Sequence, residues 1–287
     1  MAGGGGALVL VGTPIGNLGD LAPRAVDALA TADAVCCEDT RRTGRLLAHA
    51  GIGRRPLIVV NEHTERRQVP AVLARLGRGE RVAVVSDAGM PGISDPGERL
   101  VRAAVDAGHA VEVVPGPSAA LAGLVVSGLP AGRFAFEGFL PRKGAARAER
   151  LAAVAAERRT TILEEAPHRL GRTLGDLAEA CGGPRRLAIA RELTKLHEEV
   201  WRGTLEEAVA WVAERQPPGE IVLVLEGAPA GSPPDDRAVR AAVEEELAGG
   251  ASTRDAARAV AGRLGIPRRR AYQIATSAAT GDGRRGS

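Results

Sequence analysis

The sequence predicts an α/β protein with two α/β domains, a cleft between them, and a small C-terminal helical domain. Short runs of four or five apolar residues alternate with segments of helical periodicity, as where Leu8–Val11 precedes Leu21, Ala25 and Leu29. This alternation is typical of a parallel sheet that helices cover on both faces. The chain has 287 residues, 45% of them hydrophobic, and can bury cores for two ordinary domains and a smaller one.

The first domain, residues 1–122, is predicted to contain five strands at 8–11, 34–37, 57–60, 82–85 and 111–114. Polar or Gly-Pro-rich segments follow all five, at 12–20, 38–42, 61–65, 86–97 and 115–120. The carboxyl ends of parallel strands meet at one edge of a sheet, and ligands bind in the crevice there. We therefore expect the active site at this edge.

The second domain, residues 123–228, begins where a Gly-Leu-Pro stretch at 128–130 interrupts the first pattern. Strands are predicted at 160–163, 187–190, 198–202 and 221–225, and helices near 145–157, 169–180 and 205–214. Residues 228–236 are rich in Pro, Gly, Ser and Asp, a composition typical of a linker.

The third domain, residues 235–280, is predicted to be helical and basic. Ser252 to Asp255 resembles a capping box, an apolar stripe follows, and Gly265 ends this first helix. A second helix begins with three arginines, which gives a helix-turn-helix outline; a plain two-helix cap is the alternative. Residues 249–287 hold eight Arg and two Asp, a net +6 in a chain of net +3, so we expect a polyanionic partner rather than a merely solvated helix.

Residue usage excludes several classes of protein. Three cysteines, Cys36, Cys37 and Cys181, lack the spacing of a disulfide framework or a zinc site, so we expect buried thiols and no metal. No signal peptide or membrane-spanning run is present, which predicts a cytoplasmic protein. Arginine outnumbers lysine so strongly that the two lysines, Lys143 and Lys195, stand out.

The loop after the first strand is rich in glycine, yet its spacing does not match a dinucleotide fingerprint and it lacks a Walker lysine. Each polar residue of the five loops could by itself be a helix cap or a surface ion pair. The convergence of five such loops on one edge favours a ligand site.

Together these segments resemble the tetrapyrrole methylase-fold (class III) methyltransferases, and within them the ribosomal RNA small subunit methyltransferase I family. The resemblance runs from residue 8 to about 225, and its motifs are specific only in combination. It departs from the family where Met-Pro-Gly stands at 90–92 in place of Thr-Pro-Leu and Glu-Glu-Ala at 164–166 in place of Tyr-Glu-Ser. The segments that carry it are 11–18, 38–41, 86–97, 114–119, 136–141, 166–169 and 191–195.

The resemblance implies S-adenosylmethionine in the cleft, and methylation of the ribose 2′-oxygen of a cytidine in 16S ribosomal RNA. The small ribosomal subunit would be the partner, and a homodimer the expected assembly. Glu165, one of the implied cofactor contacts, lies in a segment that departs from the family. The cofactor-binding positions are Pro14, Ile15, Ser86, Asp87, Ala88, Gly89, Met90, Ile93, Ser118, Ala119 and Glu165.

Two residues are predicted to act in catalysis. Asp39 follows the second strand beside the cofactor loops and is the candidate general base. Lys195 keeps a compact ammonium where arginine is the rule, which suggests an electrostatic role. The predicted RNA contacts are Arg41, His63, Arg268, Arg269 and Arg270.

Three alternatives remain at this point. A methyltransferase of the same fold that acts on a tetrapyrrole or corrinoid would not need the basic C-terminal domain. A non-enzymatic RNA-binding regulator would not need the five polar loops. A nicotinamide enzyme is disfavoured by the loop spacing.

Overall fold

The computed structural model describes residues 6–215, 217–229, 236–264 and 266–281. The chain divides into two compact units, Met1–Ala228 and Pro229–Ser287. The first unit contains two five-stranded sheets and the second contains three helices, so the predicted two-lobed α/β fold with a helical C-terminal domain is confirmed. Gly265 and most of the predicted linker, residues 230–235, lie outside the described residues.

The first sheet is entirely parallel, with strand order β3-β2-β4-β1-β5. Every predicted strand is present to within one residue at either end, and helices connect the first four of them to the next. The strands are β1 (Ala7–Val11), β2 (Ala34–Cys37), β3 (Leu57–Val59), β4 (Arg81–Val84) and β5 (Ala110–Val114). The helices are α1 (Pro23–Thr31), α2 (Thr40–His49), α3 (Glu65–Gly77) and α4 (Glu98–Asp106).

Helices cover both faces of this sheet, because side chains alternate along each buried strand. In β1, Val9 packs with α1 residues such as Leu29, whereas the neighbouring Leu8 packs with Leu76 of α3 and Leu100 of α4. Both free cysteines of β2 are buried, as expected, whereas Cys181 is only partly buried.

The second sheet is mixed, with order β6-β7-β10-β8-β9, and only β6 and β7 are parallel neighbours. Helices α6, α7 and α8 pack on one face of it, and α5 packs on the other. The strands are β6 (Phe134–Phe139), β7 (Thr160–Glu165), β8 (Arg186–Arg191), β9 (Glu199–Thr204) and β10 (Ile221–Leu225). The helices are α5 (Ala119–Ser127), α6 (Ala145–Ala156), α7 (Leu170–Cys181) and α8 (Leu205–Ala213).

Two elements are absent from the sequence prediction. Strand β6 is irregular, since its register shifts between Phe136 and Gly138 and Gly138 has φ of +59°. A glycine inside a short strand weakens the periodic pattern by which strands are recognised. Helix α9 (Asp236–Ala248) directly follows the linker segment, whose composition hides the start of the helix.

The C-terminal unit is a three-helix cluster of α9, α10 (Thr253–Leu264) and α11 (Arg268–Gly281). Its core is small and aliphatic, with Val239, Val243, Val260 and Ile274 at its centre. The Ser252 hydroxyl accepts a hydrogen bond from the Asp255 backbone N–H, as a capping residue should, and donates one to the Asp255 carboxylate. No helix of the described ranges is long and apolar enough to cross a membrane.

A buried carboxylate joins two helices of the first lobe. Glu65, 5% exposed, begins α3, and its Oε1 accepts hydrogen bonds from the backbone N–H groups of Gly97, Arg99 and Leu100 at 2.9, 3.0 and 3.2 Å. These are unpaired donors of the first turn of α4, which has no side-chain cap of its own. Glu65 therefore anchors the loop between β4 and α4.

We predict that Glu65→Ala lowers the free energy of unfolding by about 2–4 kcal/mol, because several buried donors lose their acceptor. Chemical unfolding followed by circular dichroism measures this change. Glu62→Ala is the matched control, since Glu62 is exposed in the preceding turn and should change stability by about 0.5 kcal/mol or less. Equal losses in the two variants would contradict the anchoring role.

Candidate active site

The loops that follow β1, β4 and β5 are joined by their backbones. Thr13 and Gly89 exchange two backbone hydrogen bonds of 2.9 and 3.1 Å. A Cβ placed on Gly12 would lie 2.6 Å from backbone atoms of Gly116, so a side chain at either position would separate the loops. The three loops thus form one continuous floor at the carboxyl edge of the sheet.

A cavity of about 350 Å³ opens above this floor. Its first-lobe wall comes from the loops after β1, β2, β4 and β5. Its second-lobe wall comes from Phe139 at the end of β6, the turn at 164–167 after β7, and residues 219–222 at the start of β10. The cavity therefore lies in the predicted cleft between the two sheets of the first unit.

The structure brings nine of the eleven predicted cofactor residues to this cavity: Ile15, Asp87, Ala88, Gly89, Met90, Ile93, Ser118, Ala119 and Glu165. The other two, Pro14 and Ser86, line a second cavity beside it. Ser118 is also the N-cap of α5, and its hydroxyl accepts from the Leu121 backbone N–H at 3.5 Å.

Six carboxylates and a single cationic side chain, Arg42, line the first cavity. Burial raises the pKa of Asp95 to about 7, and the negative charges of Glu38, Glu164 and Asp87 add to this effect. Ser86 offsets part of it, although its hydroxyl is also directed at the carbonyls of Ala88 and Gly89. The carboxylates are Glu38, Asp87, Asp95, Glu164, Glu165 and Glu220.

Two further carboxylates of this wall are perturbed. Burial raises the pKa of Glu38, although its Oε1 accepts from the Asp87 backbone N–H. Burial also raises the pKa of Glu164, whose Oε2 is buried without a hydrogen-bond partner among the described residues. An unpaired buried oxygen at a cavity wall suits a ligand that brings a donor or a positive charge.

Glu165, by contrast, has partners within the second lobe on both of its oxygens. Its Oε1 accepts from the Ala166 backbone N–H at 2.8 Å and pairs with Arg169 at 3.1 Å. Its Oε2 accepts from the Thr173 hydroxyl at 2.6 Å, and Arg147 donates to that same hydroxyl. Glu165 therefore stiffens the cavity wall from inside the second lobe.

The second cavity, of about 370 Å³, contains the basic groups. Arg42, Arg45 and Lys195 line it together with the first loop and Leu46 of α2. The two cavities share five residues: Ile15, Arg42, Asp87, Ala88 and Glu220. Arg42 pairs with Asp87 at 3.6 Å, which places this ion pair on the shared wall.

The two predicted catalytic residues have defined partners. Asp39 is the N-cap of α2, where its Oδ1 accepts from the backbone N–H groups of Arg41 and Arg42. These hydrogen bonds lower the pKa of Asp39. The Lys195 ammonium pairs with Glu192 at 2.9 Å and Glu220 at 3.1 Å; burial alone would lower its pKa, but these partners raise it overall.

The predicted RNA contacts are dispersed. Arg41 and His63 are exposed at the starts of α2 and α3 but line neither cavity. In the C-terminal unit, Arg268 and Arg269 are exposed, whereas Arg270 is partly buried and pairs with Asp236 at 2.7 Å.

Several cavity residues were not among the predicted site residues. Asp95 belongs to the segment 86–97, which the sequence singles out, but only other residues of that segment were predicted to bind the cofactor. Arg42 and Glu38 adjoin Asp39, and Glu164 adjoins Glu165. Glu220 and Arg45 lie outside every segment singled out, as do Thr43, Leu46 and Gly219, and no sequence signal marks them. In the described part of the chain, no cluster of His, Cys, Asp and Glu is arranged to hold a metal ion.

The two α/β lobes, with a cavity at the carboxyl edge of the parallel sheet, belong to the tetrapyrrole methylase class, as comparison with known proteins shows. Residues 7–209 match the family described as tetrapyrrole (corrin/porphyrin) methylases. The crystal structure of uroporphyrin-III-C-methyltransferase from Thermus thermophilus is 26% identical, with a TM-score of 0.54 over 76% of this chain and 93% of that one.

Relatives of higher sequence identity narrow the assignment from this class to one family. A ribosomal RNA small subunit methyltransferase I from Synechocystis is 46% identical over 94% of this chain and 97% of its own length. A protein of the same name from Mycobacterium tuberculosis is 49% identical over 89% of each chain. The chain belongs to the ribosomal RNA small subunit methyltransferase I family.

The raised pKa of Asp95 has a testable consequence for stability. Between about pH 4 and 7 the folded protein retains a proton on Asp95 that the unfolded chain has lost, so stability falls as pH rises. We predict that Asp95→Asn, which cannot ionise, matches the wild type near pH 4 and melts about 2–4 °C higher at pH 8.

Thermal unfolding across this pH range measures the difference. Glu112→Gln is a control for which the expected change in stability with pH has the opposite sign. Arg81 lowers the pKa of Glu112, so the wild type gains stability when Glu112 ionises. A pH-independent difference between Asp95→Asn and wild type would contradict the prediction.

Proposed function

We propose that the protein transfers a methyl group from S-adenosylmethionine to the ribose 2′-oxygen of a cytidine in 16S ribosomal RNA. The observation that carries this proposal is the pair of adjoining cavities, one acidic and one basic, that share a wall. Membership of the ribosomal RNA small subunit methyltransferase I family supports the choice of substrate.

The acidic cavity fits the cofactor. Its volume of about 350 Å³ is within the range of small-molecule sites. Ile15, Met90 and Ile93 provide apolar surface, and the carboxylates, with the unpaired Glu164 oxygen, complement a positive charge. The bound cofactor supplies an already activated methyl group on a sulfonium.

The basic cavity fits the acceptor nucleotide. Arg45 projects from α2 without an ion-pair partner among the described residues, and is therefore available for a phosphate. Leu18 and Leu46 offer apolar surface for a base or ribose. Because the two cavities meet at Arg42 and Asp87, residues there can hold the 2′-hydroxyl facing the cofactor cavity, which is the main requirement for displacement at a methyl carbon.

We also propose catalytic roles for Lys195 and Asp39. Lys195 lines the acceptor cavity, where its ammonium would stabilise the negative charge that develops on the ribose oxygen. Asp39 remains a candidate base, although its capping bonds favour the ionised form and make it a weak proton acceptor at neutral pH. The eleven cofactor-binding residues keep their proposed roles, with Glu165 supporting the wall through its side chain.

Assembly and location follow from the same proposal. The edge strand β5 exposes Val111 and Val113, and α5 exposes Leu121 and Val125. An apolar, unpaired strand edge supports a homodimer because it can pair with another chain. We assign the protein to the cytoplasm, where small ribosomal subunits are found. The domain boundaries 1–122, 123–228 and 235–280 remain proposals.

Incubation with labelled methyl donor and small ribosomal subunits that lack the modification tests the proposal. We expect one methyl group per subunit, on the 2′-oxygen of a cytidine, identified by mass spectrometry of the nuclease-digested RNA. Methylation of uroporphyrinogen or a corrinoid instead would contradict the substrate assignment. In the same assay, near-wild-type activity of Asp39→Asn, which preserves the helix cap, would remove Asp39 as the base.

The exposed arginines of α11 give a second prediction. Arg268→Ala combined with Arg269→Ala should weaken RNA binding and reduce the slope of log affinity against log salt by about 2, one unit for each phosphate that is no longer neutralised. Fluorescence anisotropy with 16S RNA fragments measures the slope. Arg102→Ala, which removes an exposed arginine paired with Asp106 on α4, is the control and should leave the slope unchanged. An unchanged slope in the double variant would exclude these arginines as RNA contacts.

A further inference from the structure

Acidic groups outnumber basic ones in the wall of the cofactor cavity. Six carboxylates line it, against the single guanidinium of Arg42, which itself pairs with Asp87. Such a wall favours a cation over a neutral ligand of the same shape. The two forms of the cofactor differ in this respect, because S-adenosylmethionine carries a sulfonium charge and its product S-adenosylhomocysteine does not.

We propose that Asp95 couples this difference in ligand charge to a proton. Its carboxyl group is neutral beside S-adenosylhomocysteine and becomes ionised beside S-adenosylmethionine. The inference rests on the cofactor assignment in the proposed function and is independent of the RNA substrate.

The position of Asp95 supports this role. It lies in the loop between β4 and α4, which is tightly turned: the Gly92 backbone N–H donates to the Pro96 carbonyl, and Ser94 adopts φ of +59°. The Glu65 oxygen holds the end of the same loop. Asp95 therefore cannot easily move away from the cavity to reach solvent when it ionises.

The groups that face Asp95 come from every surrounding element. Glu38 at the end of β2 and Glu164 at the end of β7 contribute negative charge, as does Asp87 in its own loop. Arg42 of α2, Glu165 at the end of β7 and Glu220 before β10 complete the charged lining, and no histidine is among the residues that line the cavity. Burial, together with repulsion from these carboxylates, favours the protonated form of Asp95 until a cation enters.

Asp95 is better suited to this coupling than its neighbours. Asp87 accepts from the Asp39 backbone N–H and pairs with Arg42, so its charge is already compensated. Glu165 is fully hydrogen-bonded within the second lobe. Asp95 has a pKa of about 7, so a nearby positive charge changes its protonation at physiological pH.

A functional consequence follows for product release. Below neutrality, binding of the cation must expel the Asp95 proton, whereas binding of the neutral thioether leaves it in place. Preference for S-adenosylmethionine over its product should therefore increase with pH. When methyl transfer removes the positive charge of the ligand, Asp95 regains its affinity for a proton. The cavity then no longer favours the bound ligand, which is now the neutral S-adenosylhomocysteine.

Calorimetry with purified full-length protein tests the inference without RNA. Titrations with each ligand at pH 5.5–7.0, in buffers of different ionisation enthalpy, give the affinity and the number of protons released. This range avoids the α-amino group common to both ligands, which titrates near 8. For wild type, we expect S-adenosylmethionine to bind about tenfold more tightly at pH 7.0 than at pH 5.5 and to release between about 0.5 and 1 proton at pH 6.5, because one opposite charge shifts a nearby carboxyl by about a pKa unit or more.

S-adenosylhomocysteine should show less than a twofold change and no proton release. Asp95→Asn should abolish the difference between the ligands, and Asp95→Glu should retain it. Asp106→Asn, the same substitution at an exposed position on α4, should behave as wild type.

Equal proton release for the two ligands in wild type would overturn the inference, as would a difference that persists in Asp95→Asn. If the protein methylates RNA but shows no such difference, the inference fails and the proposed function stands. If wild type binds neither ligand, the cofactor assignment fails and the inference fails with it.

Discussion

The backbone contact between the loops after β1, β4 and β5 is the constraint on which the site depends. Two hydrogen bonds between Thr13 and Gly89, and the close approach of Gly12 to Gly116, turn three separate loops into one surface. Ile15 and Ala88 from this surface pack with Val222 and Ala190 of the second sheet. The first lobe therefore positions its loops and also forms part of the core of the second, so the cavity is built by the same contacts that hold the two sheets together.

The proposed cofactor cavity also shows how binding chemistry opposes stability. Carboxylates are costly to bury, and here burial raises the pKa of Glu38, Asp95 and Glu164 together. A protein selected for stability alone would not gather them. Rigid features nearby compensate, including the Glu65 anchor of α4 and the network of Arg147, Thr173 and Glu165. The site thus places weakly compensated negative charge inside a frame of fully satisfied hydrogen bonds.

Much of the fold could be predicted from the sequence because buried parallel strands read as short apolar runs between helices. The exceptions have physical causes: β6 contains a glycine of positive φ, and α9 adjoins a linker whose composition masks it. The site was predictable at the level of loops, since strand ends converge at one edge. It was less predictable at the level of side chains, because Asp39 could serve as a base or as a helix cap, and only the folded structure shows its Oδ1 accepting from the backbone N–H groups of Arg41 and Arg42.

The adjacent residues Glu164 and Glu165 illustrate that limit most clearly. Successive side chains of a strand point to opposite faces, so two neighbouring carboxylates on β7 meet different surroundings. One face carries α6 and α7: Thr173 of α7 donates to Glu165, and Arg147 of α6 donates to the Thr173 hydroxyl. The other leaves the Glu164 Oε2 buried and unpaired among the described residues. A motif identifies the pair, but which member is available to a ligand depends on partners outside the motif. Thr173, eight residues away, donates to Glu165, and Arg147, 26 residues from Thr173, donates to the Thr173 hydroxyl and becomes its neighbour only when the second lobe has folded.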